Sequence, residues 1–203
     1  MRDDFGVLIL THGRANNVKT VKSLQKAGYT GKWYIVIDDE DDQEDEYRRI
    51  YGERVIQFCK EERARITDVG DTSKERRCII FARNEAFAIA RKLGLRYFIE
   101  LDDDYNNFEY LAETGKKLKH TKIKQIEKVF EAMITFLDVS NAKSVAMAQG
   151  GDLLGGVKDP RWKEQLLRKA MNSFIFRTDN PSNFVGRINE DVNTYVTGGQ
   201  RGE

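Results

Sequence analysis

The sequence contains few of the features that would assign it to several large classes of protein. Its two cysteines, Cys59 and Cys78, lack the spacing of metal ligands. No apolar run is long enough to cross a membrane, and the first residues do not have the pattern of a signal peptide. A net charge of +1 excludes a protein that binds nucleic acid by overall positive charge alone. We therefore expect a protein of a reducing cytoplasm, in which a local patch would hold any nucleic acid.

The 203 residues, 40% hydrophobic and 33% charged, predict one globular domain with a good-sized core. There is no internal repeat or low-complexity linker. Short apolar runs alternate with segments of helical period, which predicts an α/β fold that begins with a βαβ unit and a parallel strand pair. The predicted strands are 5–10, 33–37, 55–58, 97–101, 145–148 and 173–178. The predicted helices are 15–27, 44–51, 79–91, 126–137 and 161–171.

Residues 60–77 are rich in charge and poor in apolar side chains, which predicts a mobile loop. Long charged loops in compact domains often act as functional lids. A glycine-rich stretch, residues 149–156, follows the fifth predicted strand, and its glycines allow close approach of the backbone to a ligand. Both segments are therefore candidates for contact with a substrate.

The most informative motif is the run of three aspartates from Asp102 to Asp104, directly after an apolar strand. Adjacent like charges at the end of a buried strand raise one another's pKa unless a cation neutralises them. Carboxylates at i and i+2, here Asp102 and Asp104, suit Mg²⁺ or Mn²⁺, which fill their other positions with water and substrate phosphates. A solvated acidic turn is the alternative.

The second predicted strand also ends in acidic residues, Asp38 and Asp39. Ligands of open α/β sheets bind beyond the carboxyl ends of the strands. These two aspartates are therefore predicted to face a ligand, whereas the acids that follow, through Asp45, are typical of a solvated loop leading into a helix.

The order of these motifs resembles the nucleotide-sugar domain of GT-A glycosyltransferases and, within that fold, the TET-associated glycosyltransferase group. The residues that carry the resemblance are Leu10–Arg14, Val36–Asp39, Arg83–Ala86, Ile99–Asp104 and Asn189–Asp191. It implies a GT-A-like fold, a Rossmann-like mixed sheet flanked by helices, in one catalytic domain over residues 1–203. A nucleotide-sugar-binding half would cover about residues 1–110, and an acceptor-binding half about residues 111–203.

The resemblance implies that Thr11 and Arg14 contact the donor nucleotide, and that Asp38 or Asp39 recognises its base or ribose. An arginine can pair bidentately with diphosphate oxygens, and a carboxylate can accept from a uracil N–H or a ribose hydroxyl. The neighbouring His12 is interpreted as a turn residue, with a contact to phosphate as the alternative.

Arg83 and Asn84 are implied to lie beside the diphosphate at a helix N-terminus, where the helix dipole favours negative charge. A surface ion pair is the alternative for Arg83. Asp102 and Asp104 match the Asp-x-Asp motif that holds Mn²⁺ or Mg²⁺ against the donor phosphates, where the metal acts as a Lewis acid. Asp103 would point to the opposite side or towards the donor sugar, since side chains alternate in extended chains.

Glu190 and Asp191 match the position of the catalytic base of inverting members, with Asp191 at the position most often used. Such a base takes the proton from the acceptor hydroxyl during attack on the anomeric carbon. Two acids that begin a helix are the alternative, and retaining members lack the base, so the stereochemistry stays open. Many members also use a C-terminal His, Lys or Arg as a clamp. Here either Arg201 in a disordered tail serves, or the enzyme is minimal or truncated and binds diphosphate weakly.

The implied partners are a UDP-sugar donor and, as acceptor, a hydroxymethylated pyrimidine in bacteriophage DNA, in the host cytoplasm and without a membrane. The target base must leave the stack, and Tyr105, Phe108 or Trp162 could stack against it. Two basic stretches could hold the DNA phosphates, although solvated surface is the alternative. They are Arg63, Arg65, Lys74, Arg76 and Arg77 in the predicted loop, and Lys116, Lys117, Lys119, Lys122 and Lys124.

Three other functions remain open from the sequence. A transferase of the same fold could act on a saccharide or a protein. A nucleotidyltransferase could use the same carboxylates to bind a nucleoside triphosphate. A GT-A-like module without turnover could bind DNA or protein, but the intact Asp102, Asp104 and Asp191 argue against it.

Overall fold

The computed structural model describes residues 1–149, 153, 155–159, 162 and 170–202, and its centre is a six-stranded mixed sheet. The strands are β1 (Phe5–Leu10), β2 (Lys32–Asp38), β3 (Val55–Phe58), β4 (Tyr97–Asp102), β5 (Glu109–Thr114), β6 (Lys117–Lys122), β7 (Ser144–Ala146) and β8 (Ser173–Arg177). The α-helices are α1 (Lys19–Lys26), α2 (Glu44–Tyr51), α3 (Lys60–Ala64), α4 (Ile80–Lys92), α5 (Ile126–Ser140) and α6 (Glu190–Gln200). Three 3₁₀ turns cover Ala15–Asn17, Gly52–Arg54 and Gly156–Lys158.

The strands of the large sheet run in the order β3-β2-β1-β4-β8-β7. The first four are parallel, and β8 is antiparallel to both β4 and β7. Leu10, the last residue of β1, pairs with Val36 of β2 on one side and with Asp102 of β4 on the other. The chain moves outward from β1 to β3 and then returns to place β4 on the opposite side of β1. This reversal opens a crevice at the carboxyl ends of β1 and β4.

Both faces of the sheet are covered, which explains why β1 is apolar along its whole length. Val7 and Ile9 pack in one core with α1 and α5, and Leu8 and Leu10 pack in a second core with α4. All six residues of β1 are buried. The mixed sheet flanked by helices confirms the predicted fold class and is consistent with a glycosyltransferase-like fold.

The end of α1 is set by a close approach of two backbone segments. Gly28 follows the helix with φ of +81°, and a Cβ atom there would collide with the carbonyl oxygen of Lys124. Glycine is the residue that tolerates both conditions. The amide of Ile126, at the start of α5, donates to the carbonyl of Ala27 at 3.0 Å, so α1 and α5 are fixed against each other.

Two interpretations of local structure were wrong, and one element was not predicted. The predicted helix 15–27 is a 3₁₀ turn followed by α1, which begins at Lys19, and the predicted loop 60–77 begins with the short helix α3. The lysine-rich stretch is part of an antiparallel hairpin of β5 and β6, closed by a two-residue turn at Gly115 and Lys116. The other predicted strands and helices agree with the structure within a few residues, except that the predicted helix 161–171 and much of 149–156 lie outside the described residues.

Within the described residues, none of the helices combines the length and the apolar character that a membrane span requires.

Candidate active site

A cleft of about 410 Å³ lies at the carboxyl edge of the sheet. Its walls come from the turn after β1, the ends of β2 and β4, the start of α3 and the residues before α4. The lining includes predicted site residues from three separate motifs: Thr11, Arg14, Asp38, Asp102, Asp103 and Asp104. The reversal of strand order therefore brings together side chains that are distant in the sequence.

The aspartate triplet is fixed to the rest of the protein through its backbone. The hydroxyl of Thr20 donates to the carbonyl of Asp102 at 2.6 Å, and the Thr20 amide donates to the carbonyl of Asp103 at 3.1 Å. One turn later on α1, the hydroxyl of Ser23 donates to the carbonyl of Tyr105 at 2.7 Å. Both side chains are buried. Sequence analysis missed these residues, although two hydroxyl side chains on the apolar face of an amphipathic helix are a signal of buried polar partners.

Asp103 is buried and joins the end of β4 to the turn after β1. Its Oδ2 accepts from the Thr11 hydroxyl at 2.6 Å, and its Oδ1 accepts from Arg14 Nη1 at 2.9 Å. Tyr47 completes the cluster, since its hydroxyl lies 3.0 Å from Thr11 Oγ1 and accepts from the Arg14 amide at 2.8 Å. Burial raises the pKa of Tyr47 to about 12, so it stays protonated at neutral pH. Asp103 thus points to the side of Thr11 and Arg14.

Arg83 is 1% exposed and binds three acidic side chains. Its Nη2 donates to Asp102 Oδ1 at 3.1 Å, its Nε to Glu190 Oε1 at 3.1 Å, and its Nη1 lies 3.4 Å from Glu100 Oε2. A fourth partner is the side-chain oxygen of Asn172, 3.3 Å from Nη2. Arg83 therefore lies at the start of α4, as predicted, but its donors already have protein partners. The alternative of a surface ion pair was wrong.

Two of the acids around Arg83, Glu100 and Asp102, differ in how far their pKa is raised. Burial raises the pKa of Glu100 to about 8 against the opposing effect of Arg83, and the Oε1 atom has no hydrogen-bond partner in the described part of the chain. Burial also raises the pKa of Asp102 to about 6, and the nearby charges of Asp104, Asp103 and Glu190 add to this shift. Burial therefore favours the protonated form of Glu100 more strongly than that of Asp102.

Asp104 and Asp102 differ in exposure. Asp104 is exposed in the cleft, and the Asp102 side chain keeps 23% of its surface while one of its oxygens is held by Arg83. Over the described ranges, no three His, Cys, Asp or Glu side chains converge as metal ligands. Two carboxylates are the number that Mg²⁺ or Mn²⁺ takes when phosphates and water complete its coordination, so these residues fit such an ion.

At the end of β2, the two aspartates face different partners. Asp38 is buried, lines the cleft, and receives contacts from His12 Nδ1 at 3.0 Å and Lys60 Nζ at 3.1 Å. Asp39 is exposed and accepts from the Lys60 amide at 2.9 Å, at the first residue of α3. Burial would raise the pKa of Asp39. This backbone hydrogen bond, a hydrogen bond with Cys59 and the charge of Lys60 outweigh burial and lower the pKa. Of the two, Asp38 is thus the aspartate that lines the cleft, with its Oδ1 also accepting from the Glu40 amide at 3.1 Å.

Two cations in the cleft, Lys60 and Arg77, were not among the predicted site residues. Lys60 is 4% exposed and lies beyond the end of β3, two residues after Phe58. Asp38 and the triplet were predicted because ligands bind beyond the carboxyl ends of strands. The same argument applied to β3 predicts Lys60 as well. Grouping it with the charged loop concealed this signal. Together with Arg14, these cations bring positive charge to the cleft, where Arg14 pairs with Asp103 and Lys60 with Asp38.

The residues before α4 are attached to the segment before α6. The amides of Gly186 and Arg187 donate to the carbonyls of Asp68 and Val69 at 3.0 and 2.9 Å, respectively. The Arg187 guanidinium donates to Asp71 Oδ2 at 2.9 Å and also contacts the carbonyl of Glu75. These contacts of Gly186 and Arg187 therefore fix the segment that precedes Arg77, which lines the cleft. They attach the predicted lid to the segment before α6.

Asn84 lies next to Arg83 but faces a backbone segment. Its Nδ2 donates to the carbonyl of Phe184 at 3.0 Å, and its Oδ1 accepts from the amide of Phe184 at 2.9 Å. The side chain is buried. A direct contact between Asn84 and a diphosphate would require both hydrogen bonds to be exchanged.

Glu190 and Asp191 begin α6 and are buried. Glu190 binds Arg83, whereas Asp191 Oδ1 accepts from the Val192 amide at 2.7 Å in the first turn of the helix. The structure therefore places both acids at a helix start, where the dipole favours negative charge, and joins Glu190 to Asp102 through Arg83. Neither acid belongs to the described lining of the cleft.

The three aromatic residues predicted to stack on a base have partners of their own. Tyr105 and Phe108 stack on each other, with ring centroids 5.5 Å apart, and Phe108 is 6% exposed. The indole nitrogen of Trp162 donates to Glu113 Oε2 at 3.3 Å.

Comparison with known proteins assigns the chain to one family. Residues 5–203 match the family described as TET-Associated Glycosyltransferase. No curated protein sequence matches the chain significantly.

Proposed function

Because the chain belongs to the TET-associated glycosyltransferase family, it is a glycosyltransferase, and we propose that it transfers a sugar from a nucleotide-diphosphate donor to a hydroxyl. The proposed donor is a UDP-sugar, and the proposed acceptor is a hydroxymethylated pyrimidine in phage DNA. The observation that carries the proposal is the cleft in which Asp38, three cations and the aspartate triplet meet. In this proposal, about residues 1–110 hold the donor in a GT-A-type arrangement, and the remainder holds the acceptor.

The donor nucleotide would lie along the cleft from Asp38 to the triplet. Asp38 carries a carboxylate that can accept an N–H of uracil or a ribose hydroxyl. Arg14, Lys60 and Arg77 line the same cleft and offer charge-assisted hydrogen bonds to the diphosphate. Thr11 supports this arrangement because, through Asp103, it holds the turn that carries Arg14.

Asp102 and Asp104 would hold Mn²⁺ or Mg²⁺, which when bound stabilises the leaving diphosphate as a Lewis acid. Arg83 fixes Asp102 through Oδ1, so the second oxygen of that carboxylate remains for a ligand. A bound cation would also relieve the repulsion among the triplet that raises the pKa of Asp102.

Asp191 is the proposed base of an inverting transfer, with Glu190 as the second candidate. In that reaction the acceptor oxygen attacks the anomeric carbon, its proton passes to the carboxylate, and the bond from the sugar to the diphosphate breaks. Glu190 already accepts from Arg83, whereas Asp191 Oδ2 has no protein partner within the described residues. This difference favours Asp191 as the carboxylate free to take a proton.

The donor site is tested by calorimetric titration of the protein with UDP, with and without Mn²⁺. We expect binding that requires Mn²⁺ and disappears in Asp104→Ala. The matched control is Asp179→Ala, an exposed aspartate beyond β8 at the opposite edge of the sheet, which should bind as the unmodified protein does. Absence of binding to UDP, GDP and other nucleotides under all conditions would contradict the proposed donor.

The acceptor is tested by incubating the protein with a labelled UDP-sugar and duplex DNA with or without hydroxymethylcytosine. Label in the modified duplex alone supports the proposal. Release of pyrophosphate from a nucleoside triphosphate, without sugar transfer, would instead indicate a nucleotidyltransferase. The anomeric configuration of the product, measured by NMR, tests whether the reaction inverts.

A further inference from the structure

We propose that one face of the β5–β6 hairpin binds the phosphate backbone of duplex DNA and presents the acceptor to the cleft. The proposal rests on the proposed function, since it names the surface that would hold the acceptor. The hairpin forms a separate two-stranded sheet, outside the six-stranded one. Its exposed, lysine-bearing face therefore does not take part in the packing of the six-stranded sheet.

The strand register sorts the hairpin side chains onto two faces. Tyr110 pairs with Thr121, Ala112 with Lys119, and Thr114 with Lys117. Because directly opposed residues point to the same side of a sheet, these six side chains share one face, which we call the lysine face. It carries two lysines, an aromatic ring, two hydroxyls and no acid.

Both glutamates of the hairpin lie on the other face, where they have partners. Glu109 Oε2 lies 2.9 Å from His120 Nδ1, and Glu113 accepts from the indole of Trp162. Leu111, Leu118 and His120 on that face line a groove shared with residues 153 and 155–158, which Lys117 at the end of the hairpin also lines. That face therefore supplies most of the strand side chains that meet this segment, whereas Tyr110, Lys119 and the two threonines of the lysine face do not line the described part of the groove.

The two basic stretches differ in how much of their charge is already neutralised. Three of the five cations named in residues 60–77 are paired: Arg63 with Glu85, Arg65 with Glu61, and Arg76 with Glu40. In the hairpin, Lys117 and Lys119 are exposed and form no ion pair within the described residues. Five lysines and two glutamates lie between residues 109 and 124 of a chain whose net charge is only +1. The hairpin thus concentrates unpaired positive charge.

The base of the hairpin is anchored beside the candidate active site. The amide of Ile123 donates to the carbonyl of Phe108 at 2.9 Å, and both side chains are buried in the core that also holds β4. Residue 109, the first of the hairpin, follows Asp104 by only five positions. A polymer held on the lysine face would therefore run close to the triplet.

Duplex DNA fits the chemistry and shape of this face. Lysine contacts to phosphate supply most sequence-independent affinity, and a two-stranded ribbon has the width that the major groove admits. Lys117 and Lys119 are two residues apart on one strand, about 7 Å, so both can reach phosphates of the same DNA strand. Tyr110, which is 48% exposed, and the two threonines add hydroxyl donors for the backbone.

The test is fluorescence anisotropy with a labelled duplex of 20 base pairs, titrated at 50 to 200 mM salt. We compare Lys117→Gln/Lys119→Gln with the control Arg91→Gln/Lys92→Gln, which removes the same charge from exposed positions on α4. The hairpin variant should bind at least about tenfold more weakly at 50 mM salt. Its salt slope should fall by about 2, because each phosphate contact contributes about 0.9. The control should retain the affinity and slope of the unmodified protein.

Unchanged binding by the hairpin variant, or an equal loss in the control, overturns the proposal. Binding of UDP and Mn²⁺ is measured on the same samples. If no form of the protein binds duplex DNA while that binding persists, the lysine face is not a DNA surface and the donor half of the proposed function stands. Equal melting temperatures of all variants show that the substitutions do not act through folding.

Discussion

Arg83 Nη2 lies 3.1 Å from Asp102 Oδ1, and Nε of the same guanidinium lies 3.1 Å from Glu190 Oε1. One buried cation thus connects the end of β4, where a metal is proposed, to the start of α6, where the base is proposed. The charge of the candidate active site and the stability of the fold consequently depend on the same side chain.

Replacing Arg83 should destabilise the protein strongly. In Arg83→Met, the acids around residue 83 lose their cation, and removing one partner of a buried ion pair typically costs about 3–5 kcal/mol. Urea denaturation at pH 7 should show this loss. It should shrink as the pH falls, because protonation discharges the buried acids. Arg91→Met, at an exposed position on the same helix, should change the free energy of unfolding by no more than about 0.5 kcal/mol.

Glu100 should make stability decrease with rising pH. Its folded-state pKa of about 8 lies above its ordinary value of 4.5, so the native state holds a proton that the unfolded chain has lost between these two pH values. Stability from this proton is present below pH 4.5 and is lost as the pH rises to 8, by at most about 1.4 kcal/mol per pH unit.

The variant Glu100→Gln keeps the shape of the protonated acid and cannot lose the proton. Its free energy of unfolding, relative to the unmodified protein, should therefore rise between pH 5 and pH 8. Parallel denaturation series at these pH values measure the difference. A constant difference across the series would mean that Glu100 is ionised in the folded protein.

Neighbouring aspartates of the triplet should respond differently to substitution. Asp103→Ala removes the hydrogen bonds to Thr11 and Arg14 and should cost about 1.5–3 kcal/mol of stability. Asp104 is exposed, so Asp104→Ala should change stability by less than about 0.5 kcal/mol and yet abolish the Mn²⁺-dependent binding of UDP. Unfolding curves and calorimetry on both variants test this contrast. Equal stability of the two variants would contradict the assigned role of Asp103.

Substitution of Asn84 should lower the stability of the fold more than it lowers the affinity for the donor nucleotide. Asn84→Leu leaves the amide and carbonyl of Phe184 without their partners, and each unsatisfied buried group costs about 1–3 kcal/mol. The melting temperature should fall, whereas the affinity of the folded fraction for UDP should change little. The exposed Asn107→Leu serves as the control. A large loss of UDP affinity at unchanged stability would support the original prediction of a donor contact.

The edge of the sheet that carries the cleft could be predicted from the sequence, because apolar runs that end in Asp38 and Asp102 identify both the strand and its direction. The partners of Arg83 could not be predicted, since a helix with a broad apolar face does not reveal on which side of the helix an arginine lies. A signal was present in Glu100, an acid inside an apolar strand, which requires a buried partner. The hairpin was missed because its lysines were interpreted as a charged stretch. They are residues of a strand whose side chains alternate between two faces.

The long sequence separation within the Arg83 cluster has a consequence for biosynthesis. Glu190 follows Arg83 by 107 positions, so at about 5–20 residues per second it leaves the ribosome about 5–20 s later. During that interval Arg83 has only the acids of β4 as anionic partners. The Arg83 cluster is thus completed only after all the described strands, β1 to β8, have been synthesised.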